Sequence, residues 1–219
     1  MTSSTTNGEG AAASKGDKLL RHAPTMLTLF RVAMGPVIAA LVLWATTQFY
    51  VDNILAGLIY ALALILFVIA SITDWVDGWL ARKLDAVTPL GAALDHAADK
   101  VLITCVLVAL AYASLPLGLV AAAVLILGRD VAVAGLREAL SGQGKTIPVN
   151  QLGKWKAAAE MAGVAAFLAY QMAALLMGPA TVVRGLWYSA QILIWAAAAL
   201  ALISASQYVA ALLRKPGAP

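Results

Sequence analysis

Four aspartates, Asp74, Asp77, Asp95 and Asp99, fall within positions 74–99 of a chain that has only 11 acidic residues in all. They interrupt segments that are otherwise apolar. Asp74 and Asp77 are spaced i,i+3 and Asp95 and Asp99 i,i+4, so on helices each pair places both carboxylates on one face. Two carboxylates about 4 Å apart repel by roughly 4 kcal/mol at an effective dielectric near 20. Each one inside a membrane span costs about 2.5–3.5 kcal/mol more. Arg82 and Lys100 offset part of that charge. A pair of divalent cations would offset more, and all-oxygen ligation without His or Cys selects Mg²⁺, Mn²⁺ or Ca²⁺ over zinc. The alternative is a structural salt-bridge cluster between packed helices, against which weighs the shortage of neighbouring cations. Asp85 stands in the intervening loop and reads as a solvated residue.

The elements that carry these groups are long apolar runs. The chain has 219 residues, 62% hydrophobic and 12% charged, against roughly 25% charged in a soluble domain. Its mean hydropathy is +0.86. Six apolar stretches run over about 26–49, 54–81, 90–113, 115–140, 152–177 and 185–213, each long enough for a spanning helix of roughly 20 residues. Turn chemistry separates them at Asp52-Asn53, Thr88-Pro89, Ser114 to Pro116, Ser141-Gly142 and Gly178-Pro179. The fold class expected is therefore an all-α integral membrane protein, a six-helix bundle. The second stretch exceeds the bilayer, so its last turns project beyond the hydrocarbon.

Charge sets the orientation. Lys15, Lys18 and Arg21, Arg82 and Lys83, Lys145 and Lys154, and Arg214 with Lys215 all fall on one side of the expected spans, whereas the opposite connections hold only Arg184. An excess of Lys and Arg marks the cytoplasmic side, which places both termini there. The six Trp residues read as interfacial anchors. Residues 1–17 are small and polar, lack the pattern of a signal peptide, and read as a disordered tail before a membrane domain at 18–213 and a short tail at 214–219. The net charge of +4 forms no basic stripe with interleaved aromatics, so no nucleic-acid partner is expected. The single Cys105, inside an apolar run, offers neither a disulfide framework nor a thiolate site.

The spacing D-x2-D-G-x2-A-R-x8-G-x3-D-x3-D, running from Asp74 through Gly78, Ala81, Arg82 and Gly91 to Asp99, resembles the signature of the CDP-alcohol phosphotransferases at all eight of its positions. That resemblance implies a homodimeric six-helix bundle in a bacterial cytoplasmic membrane, its site open to the cytoplasm. It implies transfer of a phosphatidyl group from CDP-diacylglycerol to an alcohol, with release of CMP, among membrane lipids. On this likeness Asp74, Asp77 and Asp95 are metal ligands, and Asp99 both shares in metal binding and acts as general base. Gly78 and Ala81 leave room for the cytidine nucleotide, which Arg82 supports, and Asp74 and Asp77 border the same CDP-lipid site. Gly91 lets the second and third helices pack closely. Two divalent cations, Mg²⁺ or Mn²⁺, are implied as cofactors, suited to clamping the attacking and leaving oxygens of an in-line displacement.

Beyond the signature, Arg129-Asp130 lies in the middle of the fourth apolar stretch and Arg137-Glu138 two turns later, followed by Asn150, Lys154 and Lys156. An intramembrane Arg needs a partner. Either Arg129 pairs with carboxylates as a structural counter-ion, or Arg129, Arg137, Lys154 and Lys156 form a pocket for an acceptor's phosphate. The segments GRDVAVAGLRE (128–138) and NQLGKWK (150–156), with LTLFR (27–31) and LDHAADK (94–100), are similar to stretches of the phosphatidylglycerophosphate synthases within the family. That likeness implies glycerol 3-phosphate as acceptor. His96 and Ala23-Pro24-Thr25 depart from the pattern outside the eight signature positions. Another acceptor, such as inositol phosphate or serine, remains the runner-up. A cation transporter with midplane carboxylates is the non-enzyme reading.

Overall fold

In lipid every backbone N–H and C=O must be paired within its own segment, so long apolar runs become helices. The computed structural model describes the backbone of residues 9–83, 89–141 and 151–213, and the side chains of 26–73, 94, 97–136, 138–140 and 151–207. Among these residues all regular structure is helical: α1 (Glu9–Gln48), α2 (Asn53–Lys83), α3 (Pro89–Ala113), α4 (Leu117–Ser141), α5 (Gln151–Leu175) and α6 (Ala180–Leu213). Five of them hold membrane-length apolar stretches among the described residues: Met26–Gln48, Asn53–Thr73, Leu117–Leu140, Gln151–Leu175 and Ala180–Gln207. α1 starts at Glu9, within the stretch read as a polar tail.

The boundaries follow local chemistry. Asp52 caps α2, its Oδ1 accepting from the backbone N–H of Ile54 at 2.9 Å and of Leu55 at 3.0 Å. At the end of α5, Met177 takes a left-handed φ of 55° and Gly178 donates to the Ala173 carbonyl at 2.8 Å. α6 then begins directly after Pro179, whose carbonyl accepts from Val182 and Val183. Hydropathy alone places the start of this helix at 185, five residues later than its observed start at Ala180. The proline supplies a start signal that a hydropathy pattern does not register, and it brings Arg184 into the first turns of α6.

The helices pack in the order α3–α1–α2–α5–α6–α4, and the ends of this arc touch only lightly where α3 meets α4 and α5. The described parts of α2 and α3 thus share α1 as their common neighbour. Whether their carboxylate faces meet turns on side chains outside the described residues. Small residues permit the close crossings. A Cβ added to Gly35 of α1 would lie 3.1 Å from the Leu102 Cα of α3, and one on Gly163 of α5 would lie 3.1 Å from the Ile194 N of α6. The interior consists of Ala, Leu, Ile and Val with Phe67 and Phe167 fully buried, while Leu58, Ile65, Val124 and Ile192 face outward.

The α1–α3 crossing fixes how the site is held. Gly35→Val forces a side chain against backbone, which cannot swing aside. It is expected to lower stability by about 1–3 kcal/mol, read as a lower thermal midpoint of the detergent-solubilised protein. A midpoint equal to wild type would mean that α1 and α3 do not approach so closely.

Candidate active site

The buried polar side chains gather around the first half of α3, where it crosses α1 and faces the seam that closes the arc. Arg31 lies one turn before Gly35 on α1, and Asp99 lies one turn before Leu102 on α3, so the parallel crossing at Gly35 brings the two into register. The Arg31 Nη1 donates to Asp99 Oδ1; Arg31 is fully buried, while 29% of the Asp99 side chain is exposed. A guanidinium enclosed in a membrane bundle needs a carboxylate partner, and here that partner is the aspartate the signature singles out as general base.

A second group connects α3, α4, α5 and α6. Lys100, next to Asp99, donates its ammonium to the backbone carbonyl of Asp130 at 3.2 Å. Lys156, 5% exposed, lies 2.6 Å from Asp130 Oδ2 on α4 and 2.6 Å from Glu160 Oε2, one turn further along α5. Arg129 contacts Asp130 Oδ1 at 3.1 Å and donates to the hydroxyl of the fully buried Ser204 on α6. Asp130 therefore serves two cations with its two oxygens and a third with its backbone. Glu160 is itself buried, and its Oε1 has no hydrogen-bond partner among the described residues.

The residues expected from sequence distribute as follows. Asp74, Asp77, Gly78, Ala81 and Arg82 fall on the last turns of α2, and Gly91 and Asp95 on the first turns of α3, with side chains outside the described residues. Arg137 of α4 and His96 of α3 are likewise outside them. Lys154 is exposed beside Trp155, which is 69% exposed at the start of α5. Arg129 and Lys156 do lie close together, both bound to Asp130.

Four residues of this seam were not singled out as site residues by the sequence reading: Arg31, Asp130 as a hub, Glu160 and Ser204. Two signals pointed to them. Arg31 is a charge inside an apolar run, and Glu160 is i,i+4 from Lys156, the spacing of a helical ion pair. Ser204 had none.

Among the described residues no three His, Cys, Asp or Glu side chains converge on one point. The donors available nonetheless suit a hard divalent cation: Asp99 presents a part-exposed carboxylate, and the signature's three other aspartates, Asp74 and Asp77 on α2 and Asp95 on α3, are oxygen donors of the same kind. Nearby, Phe67, Ser71 and Ile72 of α2 and Met161, Ala162 and Ala165 of α5 line an apolar recess of about 320 Å³. It opens one turn before Asp74 on α2 and immediately after Glu160 on α5.

A family model described as CDP-alcohol phosphatidyltransferase matches residues 21–203. The chain is 38% identical over 154 residues to the CDP-diacylglycerol–glycerol-3-phosphate 3-phosphatidyltransferase of Bacillus subtilis (strain 168), a match covering 68% of this chain and 77% of that protein. It is 35% identical over 196 residues to the protein of the same name from Rickettsia bellii (strain RML369-C), covering 87% and 95% respectively. A further similarity, 33% over 202 residues, is to a cardiolipin synthase (CMP-forming) of Oryza sativa subsp. japonica, covering 85% of this chain and 58% of that protein.

Proposed function

The chain belongs to the CDP-alcohol phosphatidyltransferase family, and from that premise we propose that it transfers the phosphatidyl group of CDP-diacylglycerol to glycerol 3-phosphate, forming phosphatidylglycerol phosphate and CMP. The observation that carries this reading is near full-length similarity to a relative named for that reaction, 35% identical over 87% of this chain. The reading includes a six-span bundle with both termini in the cytoplasm, a membrane domain at 18–213, a homodimer in the bacterial inner membrane and a site facing the cytoplasm. The one-sided distribution of Lys and Arg supports the orientation.

In this mechanism the glycerol 3-phosphate hydroxyl attacks the β-phosphorus of CDP-diacylglycerol, and Asp99 takes its proton. Arg31 holds the Asp99 carboxylate at the seam, from the buried side. Asp74, Asp77, Asp95 and Asp99 would hold two divalent cations, Mg²⁺ or Mn²⁺. Such cations, when bound, neutralise charge on the diphosphate and the departing CMP. Gly78, Ala81, Arg82 and Gly91 would border the nucleotide. The recess between α2 and α5, apolar and adjacent to the site, suits an acyl chain of the lipid donor. Arg129, Arg137, Lys154 and Lys156 would receive the acceptor's phosphate. Positioning and charge neutralisation supply most of the rate, as in other phosphoryl transfers.

Purified protein given CDP-diacylglycerol and glycerol 3-phosphate should release CMP, and activity should vanish in EDTA and return with Mg²⁺ or Mn²⁺. Full activity in metal-free buffer would sink the two-cation reading. The similarity to a cardiolipin synthase favours a second reading, the same CMP-releasing chemistry with cardiolipin as product. The chain spans 58% of that relative, against 77% and 95% of the two named for glycerol 3-phosphate, so we prefer the first. Separating the lipid products decides between them: phosphatidylglycerol phosphate supports the first reading, cardiolipin the second.

A further inference from the structure

We propose that Glu160 is a specificity residue that accepts a hydrogen bond from the non-reacting hydroxyl of the acceptor, the one on the carbon next to the phosphate ester. The inference rests on glycerol 3-phosphate being the acceptor and goes further in naming what recognises its middle carbon. Lys156 has three ammonium hydrogens. Two are directed at Asp130 Oδ2 and Glu160 Oε2, both 2.6 Å away. The third is not used in any contact among the described residues. On the same carboxylate, Glu160 Oε1 is enclosed and has no partner there. A buried carboxylate oxygen without a donor is costly, and native structures seldom leave one so without a reason.

The cluster therefore holds, side by side and away from bulk solvent, one unused donor of positive charge and one unpaired acceptor of negative charge. An inorganic anion satisfies only the first and is repelled by the second. A neutral alcohol satisfies only the second. A molecule carrying a phosphate and, one carbon away, a hydroxyl satisfies both at once: its phosphate oxygen meets the Lys156 ammonium and its hydroxyl hydrogen meets Glu160 Oε1. The cluster is also placed for this role. Lys100, bound to the Asp130 carbonyl, follows directly on Asp99, so the cluster is tied to the same stretch of α3 that carries the proposed general base. Ligand recognition by a group already paired to Lys156 also explains why an acid occupies this buried turn, since Asp130 alone suffices to keep the ammonium paired.

The test compares glycerol 3-phosphate with 3-hydroxypropyl phosphate, which keeps the phosphate and the reacting hydroxyl and lacks only the middle one. With purified full-length protein and CDP-diacylglycerol, wild type should prefer glycerol 3-phosphate in kcat/KM by about ten- to a hundredfold, the range for losing a hydrogen bond to a charged group. In Glu160→Met that preference should fall to about threefold or less, with turnover of the shorter analogue retained. Glu160→Gln, which keeps a carbonyl acceptor, should restore part of it. A merely structural Glu160 behaves differently, lowering activity on both acceptors together and leaving the preference intact; that result would overturn the inference. Equal use of the two acceptors by wild type would overturn it too, and needs no variant to fold. Wild type that releases no CMP with glycerol 3-phosphate would instead remove the proposed function, and this inference with it.

Discussion

Asp99→Asn is expected to lower turnover at least about a hundredfold while leaving the protein inserted and monodisperse. The size follows from losing both general-base help, typically worth a hundredfold or more, and a carboxylate toward the divalent cations. The retained fold follows from the surroundings. Asn preserves the shape of the side chain and can still accept from the Arg31 guanidinium through its amide oxygen, and the loss of one negative charge relieves repulsion within the aspartate group. The same substitution at Asp74, Asp77 and Asp95 should cost a comparable factor through the metal site. Asp85→Asn, in the connection between α2 and α3 and outside the signature spacing, should be near wild type. CMP release measured across the five variants checks this. If Asp85→Asn fell as far as Asp99→Asn, the spacing would have picked the wrong carboxylates.

These expectations differ in what the sequence made legible. The helices were legible because their stretches are long and apolar, and their internal breaks carry turn residues such as Asp52-Asn53, which caps α2 as its position suggests. The start of α6 was not, since Pro179 acts through backbone geometry and adds no hydropathy signal. The carboxylates stand out in the sequence because charge in an apolar segment is conspicuous and its spacing matches a helical face; of the four, the described residues place Asp99, against Arg31. What could not be read was which helix supplies each counter-charge. Arg31 and Asp99 are 68 positions apart and Arg129 and Ser204 75 apart, so their pairing depends on the packing order of the helices. Hydropathy sets the spans and leaves that order open. Small residues decide it: Gly35 seats α1 on α3 and so delivers Arg31 to Asp99. The alternatives left open for Arg129 turn on the same point, because Asp130 can act as its structural partner and still leave it beside Lys156.

Lys156 is the residue at which stability and acceptor binding are most tightly joined, and Lys156→Met should show both. Its ammonium is 5% exposed between Asp130 and Glu160. Methionine matches its length and packs as well in the apolar part of α5, so the loss is electrostatic. Breaking a buried ion pair by removing one partner costs about 3–5 kcal/mol, because the charge left behind has neither water nor a counter-ion. Asp130 keeps Arg129 at 3.1 Å and so retains a cation. Glu160 has no second ion-pair contact among the described residues, Arg129 acting on it only from further away, and the penalty therefore falls mainly there. Two consequences separate this from a surface effect. Lys156→Met should lower the thermal midpoint strongly, and the double variant Lys156→Met/Glu160→Met should recover much of it by removing the stranded charge. Neither variant should recover use of glycerol 3-phosphate if Lys156 receives the acceptor phosphate. Lys154→Met, at an exposed position two residues earlier, should leave the midpoint unchanged and raise only the acceptor KM. A double variant no more stable than Lys156→Met would mean that Glu160 is not held by Lys156. A Lys156→Met protein with wild-type KM for glycerol 3-phosphate would make the whole group a structural clasp between α4 and α5.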